Sequence, residues 1–152
     1  MRMFKSLLFT FYISVLVIIT GCNSTSATKE EELKICPQCH MELPKSNLNT
    51  AFIVQDGKTT YFDDLGCMVL WSKDNNIDLK NIDVKVFTND TKKYVQASKL
   101  YYRIDENTPM HYGFGAYETK QENSISFDEV ILRMLRGEHM ANPKIRKQIL
   151  GY

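Results

Sequence analysis

Residues 51–70 read AFIVQDGKTTYFDDLGCMVL. The Asp56-Gly57 pair accepts the positive φ angles of a two-residue hairpin turn, and the residues on both sides are rich in β-branched and aromatic types. Asp63 or Asp64 then provides the N-cap of a helix whose apolar residues recur at helical spacing. The stretch therefore predicts a β-hairpin that leads directly into a helix.

The rest of the chain predicts further strands and helices. In chain order these are a strand at 83–88, a strand at 94–104, an extended segment at 113–119, a helix at 127–136 and a short helix at 143–150. Residues 115–130 match residues 50–65 at several equivalent positions. The match indicates an internal repeat of about 34–104 and 105–152, with a strand, turn, strand and helix in each unit. A chance similarity between two hairpin-helix segments is the alternative.

The composition is that of one ordinary globular domain. The chain has 152 residues, of which 43% are hydrophobic, and this is enough for a packed core. Its net charge of +1 gives no basic field, so we expect no nucleic-acid partner. The sequence has no Gly-rich phosphate loop, and no Ser-His-Asp or Cys-His pair has an evident orienting partner. Neither a nucleotide enzyme nor a hydrolase is indicated.

The N-terminus has the pattern of an export signal. Within residues 1–21, Arg2 and Lys5 precede an uncharged apolar run at 7–19, which is short for a membrane span. The run leads to Cys22 in a context that resembles the bacterial lipobox, whose cysteine is acylated and becomes the first mature residue. An uncleaved anchor helix is the alternative, and either interpretation places the rest of the protein outside the cytoplasm.

A polar segment separates the export signal from the body of the protein. Residues 22–33 are Ser/Thr-rich and then charged, so they predict a flexible tether to a body at 34–152. Two or more acyl chains on Cys22 would hold the protein stably at a membrane. Asn23, where an Asp commonly signals retention at the inner membrane, slightly favours the outer membrane. We expect a lipid-anchored protein on the periplasmic side of a bacterial membrane.

A sulfur-rich segment, CPQCHM at 36–41, opens the body. The spacing of Cys36 and Cys39 allows both sulfurs to reach one centre, which suits zinc, copper or a disulfide. Met41 favours Cu(I) over zinc, because a soft thioether matches a soft ion. If residues 39–41 are extended, Cys39 and Met41 lie on the same side of the backbone.

Other residues with suitable chemistry follow later in the chain. Met110 and His111 lie in the segment TPMHYG at 108–113, between a proline and a glycine. We call this segment the Pro-Met loop, and it is hard to explain as part of the core. Cys67 falls in the first predicted helix, where a buried cysteine is more often a packing residue than a ligand. Asp63 and Asp64 follow a strand, which favours helix capping over acid–base catalysis.

Several interpretations of the two cysteines remain open at this point. A redox Cys-x-x-Cys motif normally opens a long helix after a core strand, whereas residues 43–47 break any helix here. A structural zinc site needs two further ligands, and the available His40, Cys67 and His111 have no regular spacing. A simple disulfide between Cys36 and Cys39 is also possible in an oxidising compartment. Metal delivery or storage is favoured over redox chemistry and structural zinc.

The sequence resembles the NosL family of copper-binding lipoproteins that accompany nitrous oxide reductase in denitrifying bacteria. The resemblance spans nearly the whole predicted mature body. It is carried by Cys22, the Cys36-Pro37-x-Cys39-x-Met41 motif, the segment YFDDLGCM at 61–68, and Pro109-Met110-x-Tyr112-Gly113 with Ala116. One departure is His40, where the family usually has Gly. The implied fold is α+β, with two small strand-strand-helix-strand units whose antiparallel sheets are each packed by a helix.

The resemblance also implies a Cu(I) site and a role in supplying copper to the copper-sulfide centre of nitrous oxide reductase. We expect one Cu(I) between segment 36–41 and the Pro-Met loop. The expected ligands are Cys39 as the thiolate anchor, Met41 and Met110 as thioethers, and Cys36 or His111 to complete the coordination. The partner would be nitrous oxide reductase or another copper-accepting protein, and transfer by ligand exchange makes the protein a metallochaperone and not an enzyme. A periplasmic thiol-disulfide oxidoreductase that uses Cys36 and Cys39 is the alternative.

Overall fold

The structure is a computed structural model that describes residues 34–152. The predicted signal peptide at 1–21, the predicted lipidation of Cys22 and the predicted tether at 22–33 therefore fall outside the described residues. Within the described part of the chain, no helix combines the length and the apolar character needed to cross a membrane.

The larger of two sheets is four-stranded and antiparallel, with the strand order β2-β1-β3-β4. Its strands are β1 (Ala51–Gln55), β2 (Lys58–Phe62), β3 (Asp83–Phe87) and β4 (Tyr94–Gln96). The predicted hairpin is confirmed, since Gln55 pairs with Lys58 across the turn. Asp56 and Gly57 have φ angles of 50° and 75°. Positive φ at both turn residues matches the twist of the flanking strands.

Three helices complete the fold of residues 34–152. They are α1 (Leu65–Asp74), α2 (Phe127–Arg136) and α3 (Pro143–Leu150). Helix α1 packs against β1, β2 and α2, and its first five residues are all buried. Ser126 caps α2 by accepting a hydrogen bond from the Glu129 amide, and Gly137 ends that helix with a φ of 73°. The predicted α+β class, with helices packed on antiparallel sheets, is confirmed.

The prediction of a single strand at 94–104 is wrong, because the chain bends in the middle of this segment. After β4 comes a turn of 3-10 helix at Ala97–Lys99, followed by β5 (Tyr101–Arg103). The buried Tyr102 hydroxyl donates a 2.8 Å hydrogen bond to the carbonyl oxygen of Ala97, which fixes the bend inside the core.

The second half of the predicted repeat pairs its strands differently from the first. Residues 115–126 do not pair with each other as a hairpin: β6 (Gly115–Tyr117) pairs with β5, and Ile125 forms an isolated bridge to Tyr102. Helix α2 is then followed by α3 and not by a strand. The first half has the order β1-β2-α1-β3. The proposed boundary between residues 104 and 105 runs through the two-stranded sheet.

Candidate metal centre

Four side chains from two distant segments converge at the start of α1. Their ligand atoms, three sulfurs and a carboxylate oxygen, all lie within 4.8 Å of one another and belong to Cys36, Cys39, Asp63 and Cys67. We call this group the Cys/Asp cluster. Its three cysteines are free thiols. Cys39 is half-buried, whereas the other three side chains are fully buried.

The first two cysteines lie in a tight loop. The Cys36 amide donates to the Met41 carbonyl, and the His40 amide donates to the Cys36 carbonyl, both at 2.9 Å. His40 closes the loop with a left-handed φ of 61°. Residues 39–41 are therefore not extended, and the condition for placing Cys39 and Met41 on the same side of the backbone is not met. A glycine would adopt this φ without the steric penalty of a Cβ atom.

The other two members of the cluster come from the start of α1. Asp64 is the N-cap residue, since its side chain accepts a 2.8 Å hydrogen bond from the Gly66 amide. Asp63 is thus not needed for capping, and its side chain reaches the cluster instead. Asp63 lies just before the cap, outside the helix, and Cys67 lies in the first turn of α1. The sequence favoured capping for Asp63 and packing for Cys67, and no local pattern in it indicates that the two side chains meet the loop of residues 36–41.

The Asp63 carboxylate is only half satisfied by its neighbours. Its Oδ1 accepts a hydrogen bond from the Cys39 thiol at 3.2 Å. Its Oδ2 is buried and has no hydrogen-bond partner among the described residues. Buried polar atoms are almost always paired, so an orphaned carboxylate oxygen beside three sulfurs fits a site for a cation.

The three thiols have very different proton affinities. A hydrogen bond from Cys67 lowers the pKa of Cys36 to about 6. The same hydrogen bond, together with burial, raises the pKa of Cys67. Burial, reinforced by the neighbouring Asp63, raises the pKa of Cys39 to about 12. In the metal-free protein one thiolate is therefore shared with a neighbouring S–H group, while a bound cation would favour the deprotonated form of all three.

The Pro-Met loop lies against the start of α1, beside the cluster. The Met110 amide donates a 3.1 Å hydrogen bond to Oδ2 of Asp64. The Tyr112 ring covers Gly66 so closely that a Cβ atom there would lie 2.2 Å from Tyr112 Cδ2. Burial raises the pKa of Tyr112 to about 12, with a further contribution from the nearby Cys67. The loop predicted to share a metal with segment 36–41 thus contacts the start of α1, close in sequence to Asp63 and Cys67.

The predicted site residues fall into three groups. Cys36 and Cys39 are brought together with Asp63 and Cys67 in the cluster. Met110 is half-buried and packs against the core, next to the cluster-bearing helix. The remaining two are exposed: Met41 has 39% of its surface accessible, and His111 lines a shallow depression on the surface. The assignments of Met41, Met110 and His111 as ligands stay predictions.

The arrangement can hold one metal ion by three sulfurs and one oxygen. Thiolates bind soft and borderline-soft cations strongly, and four converging donors are enough for a complete coordination shell. The Cys/Asp cluster is thus a site that can bind a metal ion, and its donor set alone does not select one metal.

Comparisons with protein-family models, with curated proteins and with solved structures each found no match to this chain.

Proposed function

We propose that this protein is a lipid-anchored Cu(I)-binding metallochaperone on the periplasmic side of a bacterial membrane. It passes copper to nitrous oxide reductase or to another copper-accepting protein. The observation that carries the metal-binding part is the convergence of three thiols on a buried carboxylate with an unpaired oxygen. The export pattern of the N-terminus supports the location, and the resemblance to the NosL family supports copper and the client.

The choice of Cu(I) rests on the softness of the donors. Three sulfurs dominate the cluster, and the two neighbouring segments each carry a thioether, Met41 and Met110. Thioethers bind Cu(I) well and hard divalent ions poorly. They also do not titrate, so they add affinity for copper without competition from protons.

Delivery requires one side of the centre to be accessible to a partner. Cys36 and Cys67 are fully buried, whereas Cys39 is half-buried next to the exposed Met41. We therefore assign Cys39 as the exchange ligand, which a partner's ligands approach first. Copper leaves by stepwise ligand exchange, with no bond made or broken in a substrate, so the role is binding and not catalysis.

The same thiols make a poor oxidoreductase. A redox enzyme presents an accessible cysteine with a lowered pKa. Here the thiol with the lowered pKa, Cys36, is fully buried, and the accessible thiol, Cys39, has a raised pKa. In addition, segment 36–41 forms a turn and does not open a helix. These features favour metal binding over the oxidoreductase alternative.

The proposal is tested by Cu(I) titration of the reduced protein against a chromogenic Cu(I) chelator. We expect one tightly bound Cu(I) per chain, with affinity sharply reduced in Cys39→Ser and in Cys67→Ser. Cys22→Ser is the matched control, since the proposal assigns Cys22 only to lipidation, and its affinity should be unchanged. Unchanged affinity in Cys39→Ser, or a tight zinc complex that excludes copper, would overturn the proposal. Transfer to metal-free nitrous oxide reductase, followed by its absorption spectrum, tests the client.

A further inference from the structure

We infer that Asp64 is a positioning residue of the copper site, which holds the Met110 thioether beside the Cys/Asp cluster. The inference rests on the proposed function and deepens it. From the sequence, Asp64 has no role beyond the cap of α1. The structure shows that its side chain contacts both the start of α1 and Met110, which lies 46 positions after Asp64 in the chain.

The carboxylate of Asp64 ties these two segments together from a fully buried position. Its Oδ1 accepts from the Gly66 amide at 2.8 Å, and its Oδ2 accepts from the Met110 amide at 3.1 Å. Asp63 precedes it and Cys67 lies in the helical turn that it caps. One side chain therefore fixes both the start of α1, with two cluster members, and the backbone of Met110.

The Pro-Met loop is closed by two hydrogen bonds of its own. The His111 amide donates to the Thr108 carbonyl at 2.9 Å, and the Gly113 amide donates to Thr108 Oγ1 at 3.1 Å. Thr108 is itself buried. In a closed turn of this kind, the anchored amide of Met110 also limits the directions that its side chain can take.

Close packing of the same loop on α1 gives a second, independent restraint. The Tyr112 ring lies over Gly66, where there is no room for a Cβ atom. The loop therefore contacts the start of α1 at two points, through the Asp64–Met110 hydrogen bond and the Tyr112–Gly66 contact. This packing matters for a thioether ligand, because a neutral and weak ligand contributes most to affinity when it is already held in place before the metal binds.

The test compares Asp64→Asn with Asp64→Ser. Asn has the same shape and still caps α1, but its amide group cannot accept from Met110. Ser also caps a helix and is too short to reach both segments. Ser126→Ala is the matched control, since it removes the cap of α2 away from the cluster. The readouts are Cu(I) affinity by chelator competition and the number of sulfur neighbours of copper by X-ray absorption, with urea unfolding to confirm a folded protein.

We expect Asp64→Asn and Asp64→Ser to weaken Cu(I) binding about tenfold and to remove one sulfur neighbour, as Met110→Leu does. Ser126→Ala should leave both readouts unchanged. In a protein that already carries Met110→Leu, adding Asp64→Asn should weaken Cu(I) binding by less than a further factor of about two, because the ligand that Asp64 positions is absent. A purely structural role would instead give a full, additive loss in that background, and this result would overturn the inference.

Two further outcomes separate this inference from the proposed function. If Met110→Leu alone leaves the affinity unchanged, Met110 is not a ligand and the inference fails, while a copper site made by the cysteines stands. If the wild-type protein takes up no Cu(I), the proposed function itself fails.

Discussion

Replacing Asp63 by Asn should stabilise the metal-free protein and reduce the additional stability that the protein gains from bound Cu(I). The Asp63 side chain is fully buried, and only Oδ1 has a partner among the described residues, the Cys39 thiol. A buried polar atom without a partner costs about 1–3 kcal/mol, and more where it carries charge. Asn keeps the shape and removes the charge, so we expect metal-free Asp63→Asn to gain about 1–2 kcal/mol in its free energy of unfolding.

Bound copper should stabilise this variant less than it stabilises the wild type, because an anionic oxygen beside the cation is lost. A tenfold weaker affinity reduces the metal-induced stabilisation by about 1.4 kcal/mol at a fixed excess of metal. Urea unfolding followed by circular dichroism, with and without Cu(I), measures both quantities. Asp128→Asn is the matched control: its side chain is 66% exposed, and we expect changes within about 0.5 kcal/mol.

A variant with the reverse behaviour would refute the role of Asp63 as a metal ligand. If metal-free Asp63→Asn is less stable than the wild type and gains as much from Cu(I), then Asp63 is an ordinary structural residue.

Three further predictions concern the cluster and its surroundings. His40→Gly should raise the free energy of unfolding by about 0.5–1 kcal/mol, because it relieves a left-handed φ at an exposed position, and it should leave Cu(I) affinity within about twofold. Gly66→Ala should lower the free energy of unfolding by about 1–3 kcal/mol, because its Cβ atom would clash with Tyr112. Urea unfolding measures the stability of both variants, and chelator competition measures the Cu(I) affinity of His40→Gly. Cu(I) affinity, corrected for the pH dependence of the chelator, should rise about tenfold or more per pH unit between about pH 7 and 9, because Cys39 must lose its proton to bind.

Each of these predictions has an outcome that contradicts it. A large loss of Cu(I) affinity in His40→Gly would identify the imidazole as a ligand. An unchanged free energy of unfolding in Gly66→Ala would show that the Pro-Met loop does not pack on α1. An affinity that does not vary with pH would mean that the Cys39 thiol keeps its proton in the copper complex.

The parts of the fold that depend on local sequence were predictable. The Asp56-Gly57 turn and the cap at the start of α1 are encoded by a few adjacent residues, and both are present. The bend inside 94–104 was not predictable, because it depends on a hydrogen bond between Tyr102 and Ala97 inside the core. The pairing of β6 with β5 likewise depends on contacts between distant segments.

The candidate site also has residues that the sequence predicts and residues that only the tertiary structure identifies. The spacing of Cys36 and Cys39 in the sequence indicates a shared centre, and the structure brings the two residues together. Asp63 and Cys67 have no such pattern in isolation, since an aspartate before a helix and a cysteine within it usually cap and pack. Their place in the cluster depends on the loop of residues 36–41 meeting the start of α1, which is a property of the tertiary structure.

X-ray absorption at the copper edge of the reduced protein, after Cu(I) loading and removal of loosely bound metal, tests most directly whether the Cys/Asp cluster binds copper. We expect one Cu(I) per chain in an environment dominated by sulfur. In a variant with Cys36, Cys39 and Cys67 all replaced by Ser, that copper should be absent. Full copper retention by this variant, or a wild-type protein that emerges without copper, would contradict the central claim.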